Sequence, residues 1–156
     1  MIEILIGAAV ETVAVADDRR EWAVNRPSRG SLSRVVMDAA TPPPALMRWA
    51  SCVLDRESGG DFDRRQSGAG ALNGGGSGAA GRWQFMPAWR NGLPYMIKDR
   101  LVQFGMPRKQ AKAVRIYLSN LHYVNKYPGV YQDVAMLEVV ERGGAFHWDG
   151  ERCGRP

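Results

Sequence analysis

A glutamic acid at the end of a predicted helix is the residue best placed for acid–base chemistry. Residues 46–60 read LMRWASCVLDRESGG. Their apolar residues recur at the spacing of one helix face: Leu46, Trp49, Ala50, Val53 and Leu54. Glu57 falls on the same face, and Ser58-Gly59-Gly60 ends the helix. Partial burial favours the neutral carboxyl group, which can then donate a proton. The alternative is a glutamate that swings into solvent at a frayed helix end.

A second stretch, residues 81–91 (GRWQFMPAWRN), places an amide among aromatic rings. Trp83, Phe85 and Trp89 flank Gln84 in a short apolar patch. Aromatic faces stack on sugar rings, and an amide both donates and accepts hydrogen bonds. The combination predicts carbohydrate binding, whereas the alternative is a set of core aromatics around a satisfied glutamine.

The elements that position these stretches are predicted to be mainly helices. Apolar residues at helical spacing, with proline and glycine at the ends, predict four of them: residues 45–58, 94–104, 107–121 and 131–141. Residues 61–81 are rich in glycine and predict a loop or small hairpin beside a cleft. Strand signals are few, so the expected fold class is a compact, mainly α domain.

Residues 1–44 are predicted to form an extended N-terminal arm that ends in a stiff spacer, Thr41-Pro42-Pro43-Pro44. Residues 33–40 could form two helical turns, and the sequence leaves open whether the arm folds on the domain, docks to a partner or is mobile. The domain proper is expected over residues 45–156. Residues 1–16 are apolar but contain two glutamates and no basic start, which makes them a poor signal peptide. If the protein acts outside a cell, we therefore expect delivery by something other than an ordinary leader. No apolar run approaches the roughly 18 residues that span a bilayer, so no membrane insertion is expected.

The charge distribution favours an anionic partner. The 156 residues have a net charge of +5, with five basic against six acidic residues in 1–43 and sixteen against ten in the remainder. Nucleic acid, anionic membrane or anionic wall polymers would suit this excess, as would a simple solubilising surface. The nucleic-acid reading rests on Lys98, Arg100, Arg108, Lys109, Lys112 and Arg115. It leaves Glu57 and Gln84 unexplained, so we do not expect a nucleic-acid partner.

The two cysteines, Cys52 and Cys153, are either free thiols or one long-range bridge. A bridge would pin the C-terminal tail to the Glu57 helix and contribute about 4–5 kcal/mol in the chain-entropy model. It would also imply an oxidising, extracytoplasmic setting. The two histidines, His122 and His147, are too few and too isolated for a metal site, and no metal is expected.

The order and spacing of these motifs resemble the lysozyme-like lytic transglycosylases, in particular the resuscitation-promoting-factor and soluble lytic transglycosylase types and their actinobacteriophage relatives. The resemblance covers roughly residues 45–156. Its matching positions are Glu57-Ser58-Gly59-Gly60, Asn73, Ser77-Gly78, Gly81 to Phe85, Trp89, Gly143-Gly144, Trp148 and Cys153. It implies an α+β lysozyme-like fold and a Cys52–Cys153 disulfide.

The resemblance implies cleavage of the β-1,4 bond between N-acetylmuramic acid and N-acetylglucosamine in peptidoglycan. Glu57 would be the general acid and then the base, forming 1,6-anhydro products, or reducing ends if water attacks. The implied sugar-binding residues are Ser58, Asn73, Trp83, Gln84, Phe85, Trp89 and Trp148. The candidates for a second carboxylate are Asp61, Asp63, Asp133 and Asp149, among which spacing does not choose. No metal or organic cofactor is implied.

Two features depart from the family pattern. Arg56 precedes Glu57 where the small domains have a cysteine, and Cys52 lies five residues back. Residues 91–134 are longer than in minimal domains, and VNKYPGVYQD is similar to phage-type members. We therefore expect action at the bacterial wall during phage entry or lysis, with the arm as a contact for other virion proteins. The alternative is a non-catalytic wall-binding or virion structural module on the same fold.

Overall fold

The computed structural model describes residues 31–59, 79–121, 123–149 and 152–156, and these residues are mainly helical. The α-helices are α1 (Leu32–Ala40), α2 (Pro44–Glu57), α3 (Leu93–Gln103), α4 (Arg108–Ser119) and α5 (Gly129–Glu141). Short 3₁₀ helices cover Pro87–Trp89, Val124–Lys126 and Gly144–Trp148. The expectation of a mainly α fold is confirmed. No helix in this part of the chain is long and apolar enough to cross a membrane.

Helix α5 is the centre of the domain, because every residue from Gly129 to Val139 is buried. Helices α1 and α3 pack against it, and α4 packs against α3. A helix with apolar side chains on most of its faces is stable only when it is buried, since any face left exposed would place apolar surface in water. The core therefore forms around α5, and the helix that carries Glu57 lies at its edge.

Helix α1 belongs to the core, although the sequence analysis placed residues 32–40 in an arm. Val36 and Ala39 are fully buried, and α1 packs on α5 and α3. The Ser31 side chain caps the helix by accepting a hydrogen bond from the Arg34 amide at 3.2 Å. Residues 1–30 of the predicted arm lie outside the described residues.

Helix α2 begins with Pro44 at its first turn and ends at Glu57, close to the predicted bounds. Trp49, Ala50 and Val53 are buried, as the periodicity predicted. Gly59 then adopts a left-handed φ of 66°, which a residue without Cβ tolerates best.

The C-terminal tail holds the outer side of α2. Cys52 and Cys153 form a disulfide with Cα atoms 5.7 Å apart, which confirms the expected bridge. The Trp49 indole donates a hydrogen bond to the Gly154 carbonyl at 3.1 Å. Two independent links therefore fix α2 to the chain end.

Arg100 on α3 is a structural residue rather than a surface cation. Its side chain is 2% exposed, donates to the Ala39 carbonyl at 2.7 Å and lies 2.7 Å from a Glu141 carboxylate oxygen. It therefore joins α1, α3 and α5 in one network. This removes Arg100 from the surface set that motivated the nucleic-acid reading.

Candidate active site

Glu57 lies at the last residue of α2 with its side chain 23% exposed, so it is reachable from solvent. The Arg56 guanidinium donates two hydrogen bonds to Glu57 Oε1, at 3.0 Å from Nε and 2.7 Å from Nη2. Within the described ranges, Oε2 receives no hydrogen bond from the protein. One oxygen is therefore fixed and the other is available to a ligand.

Arg56 also connects Glu57 to the end of the domain. Its Nη2 donates to the Trp148 carbonyl at 2.8 Å, and the Trp148 indole in turn donates to the Trp83 carbonyl at 2.8 Å. Arg56 thus holds Glu57 and the Gly144–Trp148 segment together.

Ser58 joins the end of α2 to the glutamine turn, which we define as residues 80–85. Its buried hydroxyl donates to the Arg82 carbonyl at 2.7 Å. Ala80 and Phe85 form a two-way β-bridge with N–O distances of 3.0 Å, which closes the turn. Ser58 was predicted to bind sugar, but here its hydroxyl donates to the protein backbone.

Gln84 has the one left-handed backbone among the described non-glycine residues, with φ at 50°. Such a conformation typically costs about 1–3 kcal/mol and persists only when the surroundings impose it. Its side-chain Nε2 donates to the Gly81 carbonyl at 2.7 Å. Its Oε1 is buried and has no hydrogen-bond partner among the residues that the structure describes. A buried, unpaired acceptor is costly, so a ligand donor that reached Oε1 would gain from satisfying it.

Two polar residues of helix α5 hold the glutamine turn in place. Gln132 Oε1 accepts from the Arg82 amide at 2.8 Å, and its Nε2 donates to the Tyr127 carbonyl at 2.9 Å. Asp133 accepts from Arg82 Nη1 at 2.8 Å and from the Trp83 indole at 2.7 Å. The signal for this support in the sequence is the polar pair Gln132-Asp133 inside an apolar helix, which the sequence reading did not use.

Glycine is required at position 81 because Gln132 occupies the space of a side chain. Gly81 has a φ of 80°, and a Cβ there would collide with Gln132 Oε1. The close approach of this backbone to α5 is what lets Gln132 reach the Arg82 amide.

The predicted aromatic residues separate into a buried set and an exposed one. Trp83, Phe85 and Trp148 are 1%, 3% and 3% exposed, and the Trp148 ring meets Phe85 edge-on at 5.6 Å. In this conformation they support the glutamine turn rather than offer a face to solvent. Trp89 is only partly buried and packs edge-on against His147 at 4.5 Å.

Phe146 and His147 extend this aromatic surface, and neither was among the predicted sugar-binding residues. Their ring centroids are 4.2 Å apart, and Phe146 is 64% exposed. Partial burial lowers the pKa of His147, so its neutral ring is favoured near neutral pH. Together with Trp89 they form what we call the aromatic ledge: Trp89, Phe146 and His147.

The remaining candidates are dispersed. Asp133 is committed to Arg82 and Trp83, and Asp149 lies 3.3 Å from the exposed Arg155. Asn73, Asp61 and Asp63 lie outside the described residues. In the described ranges no group of three or more His, Cys, Asp or Glu side chains could hold a metal ion.

Comparison of the chain with protein-family models, with curated proteins and with solved structures gives no match. The likeness to lytic transglycosylases therefore rests on the sequence motifs, and a function for the site has to be argued from its residues.

Proposed function

We propose that this protein cleaves the β-1,4 bond between N-acetylmuramic acid and N-acetylglucosamine in peptidoglycan, with Glu57 as general acid and base. One observation carries the proposal. Three stretches far apart in the chain meet through consecutive hydrogen bonds: Arg56 donates to Glu57 and to the Trp148 carbonyl, and Trp148 donates to the Trp83 carbonyl. These are the stretches on which the family resemblance was based. The finer expectation, an α+β lysozyme-like arrangement, is part of the same proposal.

The proposed chemistry needs only one protein carboxyl group. Glu57 donates its proton to the glycosidic oxygen as the bond to the muramic-acid carbon breaks, and the substrate's own acetamide supports that carbon. Glu57, now a carboxylate, takes the proton from the sugar's 6-hydroxyl, whose oxygen closes a 1,6-anhydro ring. If water replaces this hydroxyl, the product has a reducing end. A single-carboxylate route is an exception to the usual pair.

The structure supports different roles for the two side-chain oxygens of Glu57. Arg56 holds Oε1 through two hydrogen bonds, which fixes the carboxyl plane at the end of α2. Oε2 is then the atom that meets the substrate. Orientation of this kind is a large part of enzymatic rate enhancement, because it removes the entropy cost of alignment.

Substrate contacts fall to the glutamine turn and the aromatic ledge. Gln84 Oε1 would accept from a sugar hydroxyl or acetamide N–H, and the ledge would stack on a sugar ring. Trp83, Phe85 and Trp148 would act through packing that keeps the turn rigid. Asn73 remains a proposed contact from the glycine-rich segment.

The proposed site of action is the bacterial wall, outside the cytoplasm. The Cys52–Cys153 disulfide suits that setting, because disulfides persist in oxidising compartments. The phage context and the contact of the N-terminal arm, residues 1–44, with other virion proteins rest on the resemblance. Detection of the chain in purified virions would support them.

The test of the chemistry is the Glu57→Gln substitution, assayed by mass spectrometry of fragments released from purified walls. Removing a general acid should lower release by about 10²- to 10⁴-fold. Asp55→Asn is the matched control, since Asp55 is an exposed acid on the same helix. Both variants should melt at the parental temperature. Release by Glu57→Gln at the parental rate would exclude Glu57 as the acid.

A non-catalytic wall-binding module is the second candidate, and the Arg56–Glu57 ion pair favours it. A side chain held 2.7 Å from a guanidinium can have a purely structural role at the end of α2. Products released from walls by the parental protein distinguish the enzyme from the binding module. Anhydro or reducing ends among the products indicate an enzyme, and retention on walls with no product at all indicates a binding module.

A further inference from the structure

An open groove of about 570 Å³ lies between α3 and α4, and it shares no residue with the candidate active site. It is lined by Tyr95, Lys98, Asp99, Val102, Arg108, Lys112 and Arg115. Its volume falls within the range of ligand sites, and four of its seven lining residues are basic.

The α4 side of the groove carries three basic side chains. Arg108, Lys112 and Arg115 stand at i, i+4 and i+7, so they share one face of the helix about one turn apart. None of them forms an ion pair with a carboxylate of the described residues. The Arg115 guanidinium lies over the Tyr95 ring, 4.8 Å from its centroid, which holds it at the groove wall.

Asp99, the acidic residue in the lining, is paired with two basic side chains that do not belong to α4. Asp99 lies 2.7 Å from Lys98 Nζ and 3.2 Å from Arg142 Nη2. Hydrogen bonding to Lys98, assisted by Arg142, holds the pKa of Asp99 below its ordinary value. Asp99 therefore stays charged and is matched by these two cations, and the α4 cations are left for a ligand.

We propose that this groove binds the phosphodiester backbone of an anionic bacterial wall polymer. The occupant rests on the proposed function, because such a polymer would lie in the same wall as the glycan substrate. Cations one helical turn apart suit a chain of repeating phosphates, and Tyr95 and Val102 offer apolar contact to the carbon units between them. Nucleic acid fits less well, since single strands need several free aromatic platforms and Arg115 already covers one face of Tyr95.

The test measures how the full chain binds purified walls before and after hydrofluoric acid removes their phosphodiester-linked polymers. The Glu57→Gln background keeps the walls intact during the measurement. The groove variant is Arg108→Gln with Lys112→Gln. Its matched control is Arg48→Gln with Lys109→Gln, which also removes one exposed arginine and one exposed lysine.

We expect the groove variant to bind untreated walls about three- to tenfold more weakly, with a shallower salt dependence, and the control to stay within about twofold. Treated walls should bind parental and groove proteins equally. Equal loss in groove and control variants would overturn the proposal, as would undiminished binding to treated walls. Tighter binding of a DNA oligonucleotide, lost in the groove variant, would overturn the wall polymer as occupant.

This test is independent of the cleavage assay. Groove-dependent wall binding, together with no fragment release by the parental protein, would leave the groove assigned and exclude the enzymatic proposal. Fragment release by the parental protein, with no loss of wall binding in the groove variant, would support the enzymatic proposal and exclude the groove as the binding site.

Discussion

Helices α2 and α5 both carry acidic side chains among apolar residues, yet they use them in opposite ways. Helix α5 is buried from Gly129 to Val139, and Asp133 has both oxygens engaged by Arg82 and Trp83. Helix α2 buries one face and ends in Glu57, whose side chain is 23% exposed and engaged at one oxygen. A carboxylate in the core fixes structure, and a carboxylate at the edge stays available for chemistry.

The two helices are also held in different ways. Helix α5 packs against α1 and α3 through its side chains. Helix α2 is linked to the chain end by the Cys52–Cys153 disulfide and the Trp49–Gly154 hydrogen bond. The disulfide and the Trp49 hydrogen bond therefore act on the helix that carries Glu57 and not directly on α5, so substitutions can separate these contributions.

The largest effect is expected from removing the disulfide with Cys52→Ser and Cys153→Ser together. The bridge closes a sequence separation of 101 residues, so its loss should lower the free energy of unfolding by about 4–5 kcal/mol in the chain-entropy model. Amide hydrogen exchange should speed up in α2 before α5. Simultaneous loss of protection in both helices would contradict the distinction between them.

A somewhat smaller loss is expected from Asp133→Asn. The substitution removes the charge that pairs with Arg82 in a buried site, while an amide oxygen can still accept from Trp83. Breaking a buried ion pair should cost about 3 kcal/mol in chemical denaturation. The exposed Asp55→Asn variant should change stability by no more than about 0.5 kcal/mol. Similar values for the two variants would refute a structural role for Asp133.

The smallest stability effect is expected from Gln84→Gly, which should nevertheless reduce activity. Glycine relieves the left-handed backbone but loosens the unfolded chain, so the free energy of unfolding should stay within about 1 kcal/mol. Because the substitution removes the amide that we propose contacts the substrate, fragment release from walls should fall at least tenfold, on the order of one unmade buried hydrogen bond.

Gln84→Asn is the control for this prediction, because asparagine tolerates the same backbone but places its amide one carbon short. It should fold normally and also lose activity. Full activity in either variant would show that the Gln84 amide makes no contact with substrate.

Patterns in the sequence were enough to predict the helices and the Cys52–Cys153 disulfide. Apolar spacing predicted the buried face of α2, and Gly59 ended the helix with the left-handed turn that glycine permits. The pairing of Cys52 with Cys153 followed from the family resemblance and is confirmed. These features depend on neighbours in the chain or on recurring motifs, so a single sequence can reveal them.

Features that depend on contacts between distant residues were not readable in the same way. The sequence left open whether the arm that contains residues 32–40 folds on the domain, and in the structure α1 buries Val36 and Ala39 and packs on α5. It left Asp133 among the possible second carboxylates, and the tertiary structure commits that side chain to Arg82 and Trp83. The resemblance implied four sugar-binding aromatics, and burial divides them: Trp83, Phe85 and Trp148 lie in the core, and Trp89 belongs to the aromatic ledge.

The sequence by itself determined which residue types could do chemistry: a glutamate at a helix end, a glutamine among aromatics, and an excess of basic residues after position 43. The tertiary structure decided which of them are available. It turned Glu57 Oε1 toward Arg56, left Gln84 Oε1 unpaired and buried Arg100 while placing Arg108 and Lys112 in one groove. The physical reason is that availability depends on burial and on hydrogen-bond partners, and both come from residues far away in the chain.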